Sequence, residues 1–136
     1  MNTVAHTMAI TYPPKIEAVF SGKCRQTIRL LKIRSIKEEG DTILFHDWSG
    51  KPYRSKWGRR LKVTVTEVFS LYYERGAWRS HPYDMDPGLT YTRQFMEELA
   101  KRDLIDPPTR ECLEMVLAKL NDLNTLEGTE WQVIRW

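Results

Sequence analysis

The sequence predicts a single α+β domain, with strands at both ends of the chain and helices between them. Three observations carry that expectation. Residues 61–66 alternate strictly, with Leu61, Val63 and Val65 on one side and Lys62, Thr64 and Thr66 on the other, the period of a half-buried strand. Two later stretches, "LTYTRQFMEELAKRD" and "DPPTRECLEMVLAKLNDL", repeat their apolar residues at helical spacing. The closing "TEWQVIRW" reads as a strand.

The elements follow in chain order. "MAITY" reads as a short strand stopped by Pro13 and Pro14, and Pro14 suits a first helical position, where no N–H is needed. In "PKIEAVFSG" the residues Ile16, Val19 and Phe20 share one helical face, and Gly22 supplies the stop. Residues 26–36 mix apolar and basic side chains as a strand and loop. "EEGD" then turns into the apolar run Thr42–Trp48, and "SGKP" turns the chain again. After the alternating strand, Glu67 falls in the apolar phase: either a bulge shifts the phase or a carboxylate points inward. "YYERGAWRSHPYDMDPG" reads as an irregular crossover, whose aromatic part at 72–83 would suit a patch for a protein partner. In the first late helix Phe95, Met96 and Leu99 face inward. In the second, Asp106 is the expected N-cap, Pro107 lies in the first turn, and Leu113, Val116, Leu117, Leu120 and Leu123 form the stripe. With no repeat and no flexible linker, one domain spans 1–136.

Composition narrows the functional classes. A chain of 136 residues can fold around one core without staples. Its net charge of +3 is too mild to require a polyanion partner, so the distribution of charge must decide. Cys24 and Cys112 are far apart, which favours a reduced cytoplasmic protein over a disulfide scaffold. Neither a leader pattern nor a membrane span is visible, so a soluble protein is expected. His6, His46 and His81 lack metal-ligand spacing, and no glycine-rich phosphate loop exists, so neither metal nor cofactor is expected. His46 and Asp47 are neighbours on a strand and face opposite ways, which argues against a dyad. Met85, Met96 and Met115 read as core filler.

The strongest local bias is "KPYRSKWGRRLK" at 51–62. It holds Lys51, Arg54, Lys56, Arg59, Arg60 and Lys62, interleaves Tyr53 and Trp57, and contains no acid. Such a hairpin would neutralise phosphates and stack unpaired bases, at about 1–3 kcal/mol per base. A hairpin whose charges merely prevent edge-to-edge pairing has the same composition. A second basic cluster comprises Lys23, Arg25, Arg29, Lys32, Arg34 and Lys37. If 26–33 is a strand, Arg25 and Arg29 share a face. The two clusters would line one groove only if their segments pair in a sheet.

A short helix ending in a G-x-K-x-x-x-x-R-like segment, a strand, then "GD" before a second strand resembles the ASCH domain. The resemblance runs from "IEAVFSGKCRQTIR" through "EEGDTILF" and "RRLKVTVTEVF" to "ELAKRD" and "WQVIRW", nearly the whole chain in order. It implies a small PUA-like β-barrel of mixed strands with flanking helices, and a cleft lined by the motif. Members of this kind resemble RNA-binding modules. Some are hydrolases that remove the acyl group from N4-acetylcytidine, and nuclease activity belongs to some relatives. In the amidohydrolase members a Lys–Thr–Glu set is catalytic. Gly22, Thr27 and Arg29 match that motif, but Cys24 stands at the lysine position, with Lys23 beside it. Asp103 or Asp106 falls nearest the glutamate, and Glu67 is a third acid to place. Cysteine brings no positive charge to an oxyanion, and it is a nucleophile only where a neighbour favours the thiolate. Burial at the cleft floor is its other fate.

The expected function is therefore an RNA-binding module. Lys23, Arg25, Thr27 and Arg29 would line one wall of a basic cleft, and Tyr53, Arg54, Lys56, Trp57, Arg59 and Arg60 would extend it. The alternative is a small hydrolase, of N4-acetylcytidine type or a ribonuclease, using the same cleft through Lys23, Cys24, Thr27 and one of Glu67, Asp103 and Asp106. RNA, single-stranded or structured, or a modified nucleoside is the expected partner.

Overall fold

A computed structural model describes residues 4–10, 12–31, 37–80 and 90–136. Lys32, Arg34, His81 and Met85, named above, lie outside the described residues. The chain is α+β, and its described residues form seven strands and three helices in the order β1 (Ala5–Ala9), α1 (Pro13–Phe20), β2 (Gln26–Leu30), β3 (Thr42–Trp48), β4 (Trp57–Thr64), β5 (Glu67–Glu74), β6 (Ala77–Arg79), α2 (Arg93–Arg102), α3 (Arg110–Leu120) and β7 (Glu130–Arg135). They make two sheets, ordered β1-β3-β4 and β2-β7-β5-β6. Among the described strands only the β1–β3 pair is parallel. No described helix is long and apolar enough to cross a membrane.

The ambiguity at Glu67 resolves as a change of sheet. The N–H of Val65 donates to the Asp41 carbonyl beside β3, whereas the N–H of Thr66 donates to the Arg135 carbonyl of β7. Two different partners for two successive residues reset the alternation. Glu67 thus opens a new strand and is exposed, with its carboxylate 3.2 Å from Arg135. The inward-carboxylate alternative does not hold.

β7 explains how the two sheets share one interior. Trp131 and Val133 pack with Leu71, Trp78, Met96, Leu99 and Leu113, the core beneath α2 and α3. Ile134 instead joins Val19, Ile43, Phe45 and Val65, the core beneath α1. A strand covered on both faces carries a nearly continuous buried run, and residues 131–134 are all buried. Gln132 is tolerated there because its amide exchanges two hydrogen bonds with the backbone of Lys37 (3.0 and 2.9 Å).

Three local expectations are corrected. α3 begins later than "DPP": Thr109 is its N-cap, its hydroxyl accepting from the N–H of Cys112 at 3.1 Å, and Asp106 is exposed outside the helix. The supposed crossover is, up to residue 79, a β-hairpin. Arg75 (φ 52°) and Gly76 (φ 72°) form a two-residue turn of the twist that hairpins favour, and Trp78 beyond it is 1% exposed. Within 72–80 the Trp78 ring goes to the core, Arg75 and Gly76 at the turn are exposed and most of the rest is half-buried, while 81–83 fall outside the described residues. Met96 fills the core as expected, but Met115 is 64% exposed, on the outer side of α3, and Leu120 of the expected stripe is 52% exposed.

Candidate functional site

Lys15 is where the site begins. It precedes Ala18 and Val19 by three and four residues, so the helical repeat puts it on the buried face of α1. Its Nζ lies 2.8 Å from Oδ1 of Asp103, the residue that caps the C-terminus of α2. Both side chains are less than a tenth exposed. Gln26 donates to the same oxygen (3.4 Å) and to the Leu99 carbonyl (3.1 Å), while its own carbonyl oxygen accepts from Arg135 (2.9 Å). The carboxylate is thus held from two directions.

On β2, Thr27 and Arg29 stand two residues apart and face the same way. Arg29 Nε donates to Thr27 Oγ1 (3.1 Å), and Nη2 donates to the Ala9 carbonyl (3.1 Å). Because the threonine oxygen accepts from the guanidinium, its own hydrogen must point elsewhere. Burial works against the Arg29 charge and lowers its pKa, with Asp103 and Tyr53 opposing the shift. Lys37, also buried, is pushed down by desolvation first and then by the field of Arg29, with Asp41 opposing.

Lys15, Thr27, Arg29 and Asp103 line one cleft of about 120 Å³. Its other wall is apolar, made by Ile10, Ile28 and the Val116, Leu117 and Leu120 side of α3. That volume is a little less than the roughly 150 Å³ cavity that takes up a benzene ring, so it fits a small acyl group or one edge of a planar ring. A larger groove of about 320 Å³, lined by Leu61, Val63, Trp136 and Arg25, has no Asp, Glu or His side chain in its lining to act as general base.

The sequence-predicted residues divide between places. Thr27, Arg29 and Asp103 come together. Lys23 and Arg25 do not join them: they are exposed and border a separate hollow with Gly22 and Arg102. The reason is that β2 starts at Gln26, so strand alternation does not reach back to Arg25. Gly22, at φ 82°, turns the chain there, and Arg25 Nε reaches back to the Gly22 carbonyl (3.4 Å). Cys24 is 1% exposed, and its thiol faces the carbonyls of Gln26 (3.4 Å) and Arg102 (3.5 Å) rather than the cleft. Burial raises its pKa against the pull of Lys15, so the thiol stays protonated. Asp106 and Glu67 are exposed and outside the cleft.

The basic segment at 51–62 spans the tip of the β3–β4 hairpin and most of β4, in the other sheet from β2, so the two basic clusters do not pair. Arg59 is engaged by Asp47 (2.9 Å) and Glu17 (2.6 Å). Trp57 stacks on His46 (4.0 Å between centroids, 15°), and Arg60 lies 5.2 Å over the Trp57 ring. Tyr53 is 80% exposed, while Arg54 and Lys56 extend into solvent. His46 Nδ1 meets the Asp47 carbonyl, not its carboxylate (3.2 Å), so the two form no dyad. No group of three metal-ligating side chains occurs among the described residues.

Sequence reasoning missed Lys15 and Gln26. The apolar face of α1 was read from Ile16, Val19 and Phe20, which hides a lysine on the flank of that face. The available signal was the i, i+3, i+4 relation of Lys15 to Ala18 and Val19. Comparison with protein families, with curated proteins and with solved structures finds no match to this chain.

Proposed function

We propose that the protein is a small hydrolase that removes an acyl group from the exocyclic nitrogen of a nucleobase or nucleoside. The observation that carries this reading is the buried Lys15–Asp103 pair sharing a cleft with the Thr27 hydroxyl. Amide hydrolysis needs a proton acceptor, a positive charge for the developing oxyanion, and a donor that orients the substrate. Asp103 supplies the first, Lys15 the second and Thr27, held by Arg29, the third. Water adds to the carbonyl carbon and gives its proton to Asp103. The tetrahedral oxyanion lies against the Lys15 ammonium. As the C–N bond breaks, that proton passes to the departing nitrogen, leaving an amine and a carboxylic acid.

The ASCH resemblance belongs to this reading, as do a PUA-like closure of the two sheets and a cytoplasmic site of action. In it, the cation missing at position 24 is provided from α1 by Lys15, and an aspartate stands for the family glutamate. Nucleic-acid binding, the other reading, is favoured by the aromatic and basic hairpin rather than by the cleft.

The test is turnover of a panel of N-acylated nucleobases and nucleosides. Lys15→Met, Thr27→Val and Asp103→Asn should each lower kcat/KM by about 100-fold or more, while Cys24→Ala retains it. Turnover that survives both Lys15→Met and Thr27→Val removes this cleft from the chemistry.

A further inference from the structure

The β3–β4 hairpin carries a surface that a free nucleoside in the cleft would leave unused. His46 pairs in parallel register with Ala9, whose carbonyl accepts from Arg29, so the hairpin base adjoins the cleft lip. From His46 a run of rings leads outward. Trp57 stacks on it, Trp48 meets it edge-on at 5.0 Å, and Tyr53 lies 5.1 Å from Trp48. Of the outer rings Tyr53 is open, at 80% exposure, whereas Trp57, stacked on His46 with Arg60 over its ring, is 37% exposed. The indole N–H of Trp48 is buried within this run and has no acceptor.

The charges beside the rings are equally uncommitted. Lys51, Arg54 and Lys56 are exposed and enter no ion pair among the described residues, in contrast to Arg59. An open aromatic face set among unpaired cations matches the two parts of a single strand, its bases and its phosphates. A duplex hides its base faces and would leave that ring idle.

We propose that this hairpin is a stacking ledge for single-stranded polynucleotide, and that the acylated base entering the Lys15–Asp103 cleft is carried in such a strand. The second half rests on the hydrolase reading; the first does not. A base flanking the one in the cleft lies on Tyr53. Phosphates meet Lys51, Arg54 and Lys56.

The experiment is a fluorescence anisotropy titration with labelled single-stranded RNA, single-stranded DNA and duplex RNA at two salt concentrations, followed by turnover of one N-acylated base as nucleoside and within an oligonucleotide. Single-strand binding should weaken with salt and fall roughly ten-fold in Tyr53→Ala. That side chain is exposed, so the variant retains its fold. Lys51, Arg54 and Lys56 replaced together by Ala should flatten the salt dependence. Equal binding of RNA and DNA supports the ledge and assigns it to the shared chemistry, while a preference for RNA adds a contact to the 2′-hydroxyl. A higher kcat/KM for the oligonucleotide, reduced relative to the nucleoside by Tyr53→Ala, supports both halves. No single-strand binding at low salt, or binding to duplex alone, overturns the proposal. Ledge binding without turnover of either substrate upholds the ledge and overturns the hydrolase reading instead.

Discussion

Lys15 Nζ and Asp103 Oδ1 meet at 2.8 Å across 88 residues of sequence, both side chains almost shut off from water. Such a pair ties α1 to the end of α2, and its two halves are not independent. Lys15→Met leaves an uncompensated carboxylate and should cost about 3–5 kcal/mol. Replacing both, Lys15→Met with Asp103→Leu, should recover most of that loss, because burying no charge avoids the desolvation penalty. Urea denaturation of the two variants checks this. A single variant as stable as the parent would mean that water reaches the pair.

Asp41 predicts the acid limb of stability. Its carboxylate accepts from the Val4 N–H (3.0 Å), the Glu38 N–H (3.0 Å) and His6 Nε2 (2.9 Å). Burial works to raise its pKa, but these hydrogen bonds outweigh it and hold the carboxyl below its ordinary 3.8. A carboxyl whose pKa is lowered in the fold contributes stability that is present above the unfolded value and lost as pH falls through the folded one. Asp41→Asn should therefore destabilise the protein near neutrality and flatten the loss below about pH 4. Unfolding midpoints measured across that range, with parallel curves for both proteins, would refute the assignment.

What the sequence made legible was periodicity, and what it hid was partnership. The alternation from Leu61 to Thr64, within β4, and the stripe around Met96 and Leu99 survive because each depends on one element's own repeat. The sheet change at Val65 and Thr66 was visible only as a broken phase, since its cause is which strand each N–H meets. "GD" at 40–41 was legible as a turn, while the role of Asp41 as acceptor for Val4 and His6 needed the fold. The cleft shows the same limit. Thr27, Arg29 and Asp103 were named from a linear pattern, but Lys15 enters through a helix whose outline was drawn from apolar residues alone.

Capping distinguishes Thr109 from Asp106. The Thr109 hydroxyl satisfies the N–H of Cys112, one of the first unpaired donors of α3, whereas Asp106 is exposed three residues earlier. Thr109→Ala should cost about 1 kcal/mol and Asp106→Ala much less. Thermal denaturation of both variants decides it, and the reverse order would restore Asp106 as the cap.

Gly58 and Asp47 should be coupled. A methyl group at position 58 would meet Oδ1 of Asp47, which already accepts from the N–H of Arg59 (2.5 Å). Gly58→Ala should then cost about 1–3 kcal/mol in the parent, as overpacking does. The same change in an Asp47→Ala background should cost far less, since the obstructing carboxylate is gone. A double-mutant cycle measures the difference. Equal costs in both backgrounds would show that the side chain swings aside freely.

Cys24 should behave as a buried neutral thiol. Desolvation raises its pKa, Lys15 and the Gln26 backbone only partly opposing, and alkylation proceeds through the thiolate. Iodoacetamide should therefore label Cys24 far more slowly in the folded protein than in urea, and more slowly than the half-buried Cys112. A group whose pKa is raised by folding contributes stability that is full below its unfolded pKa and lost as pH climbs through the folded one. Alkaline conditions should accordingly destabilise the parent more than Cys24→Ala, which has no proton to lose at that position. Mass spectrometry of the labelled protein and alkaline unfolding curves test the two halves separately. Native labelling of Cys24 as fast as in urea would mean an open, ionised thiol, and would restore it as a nucleophile candidate.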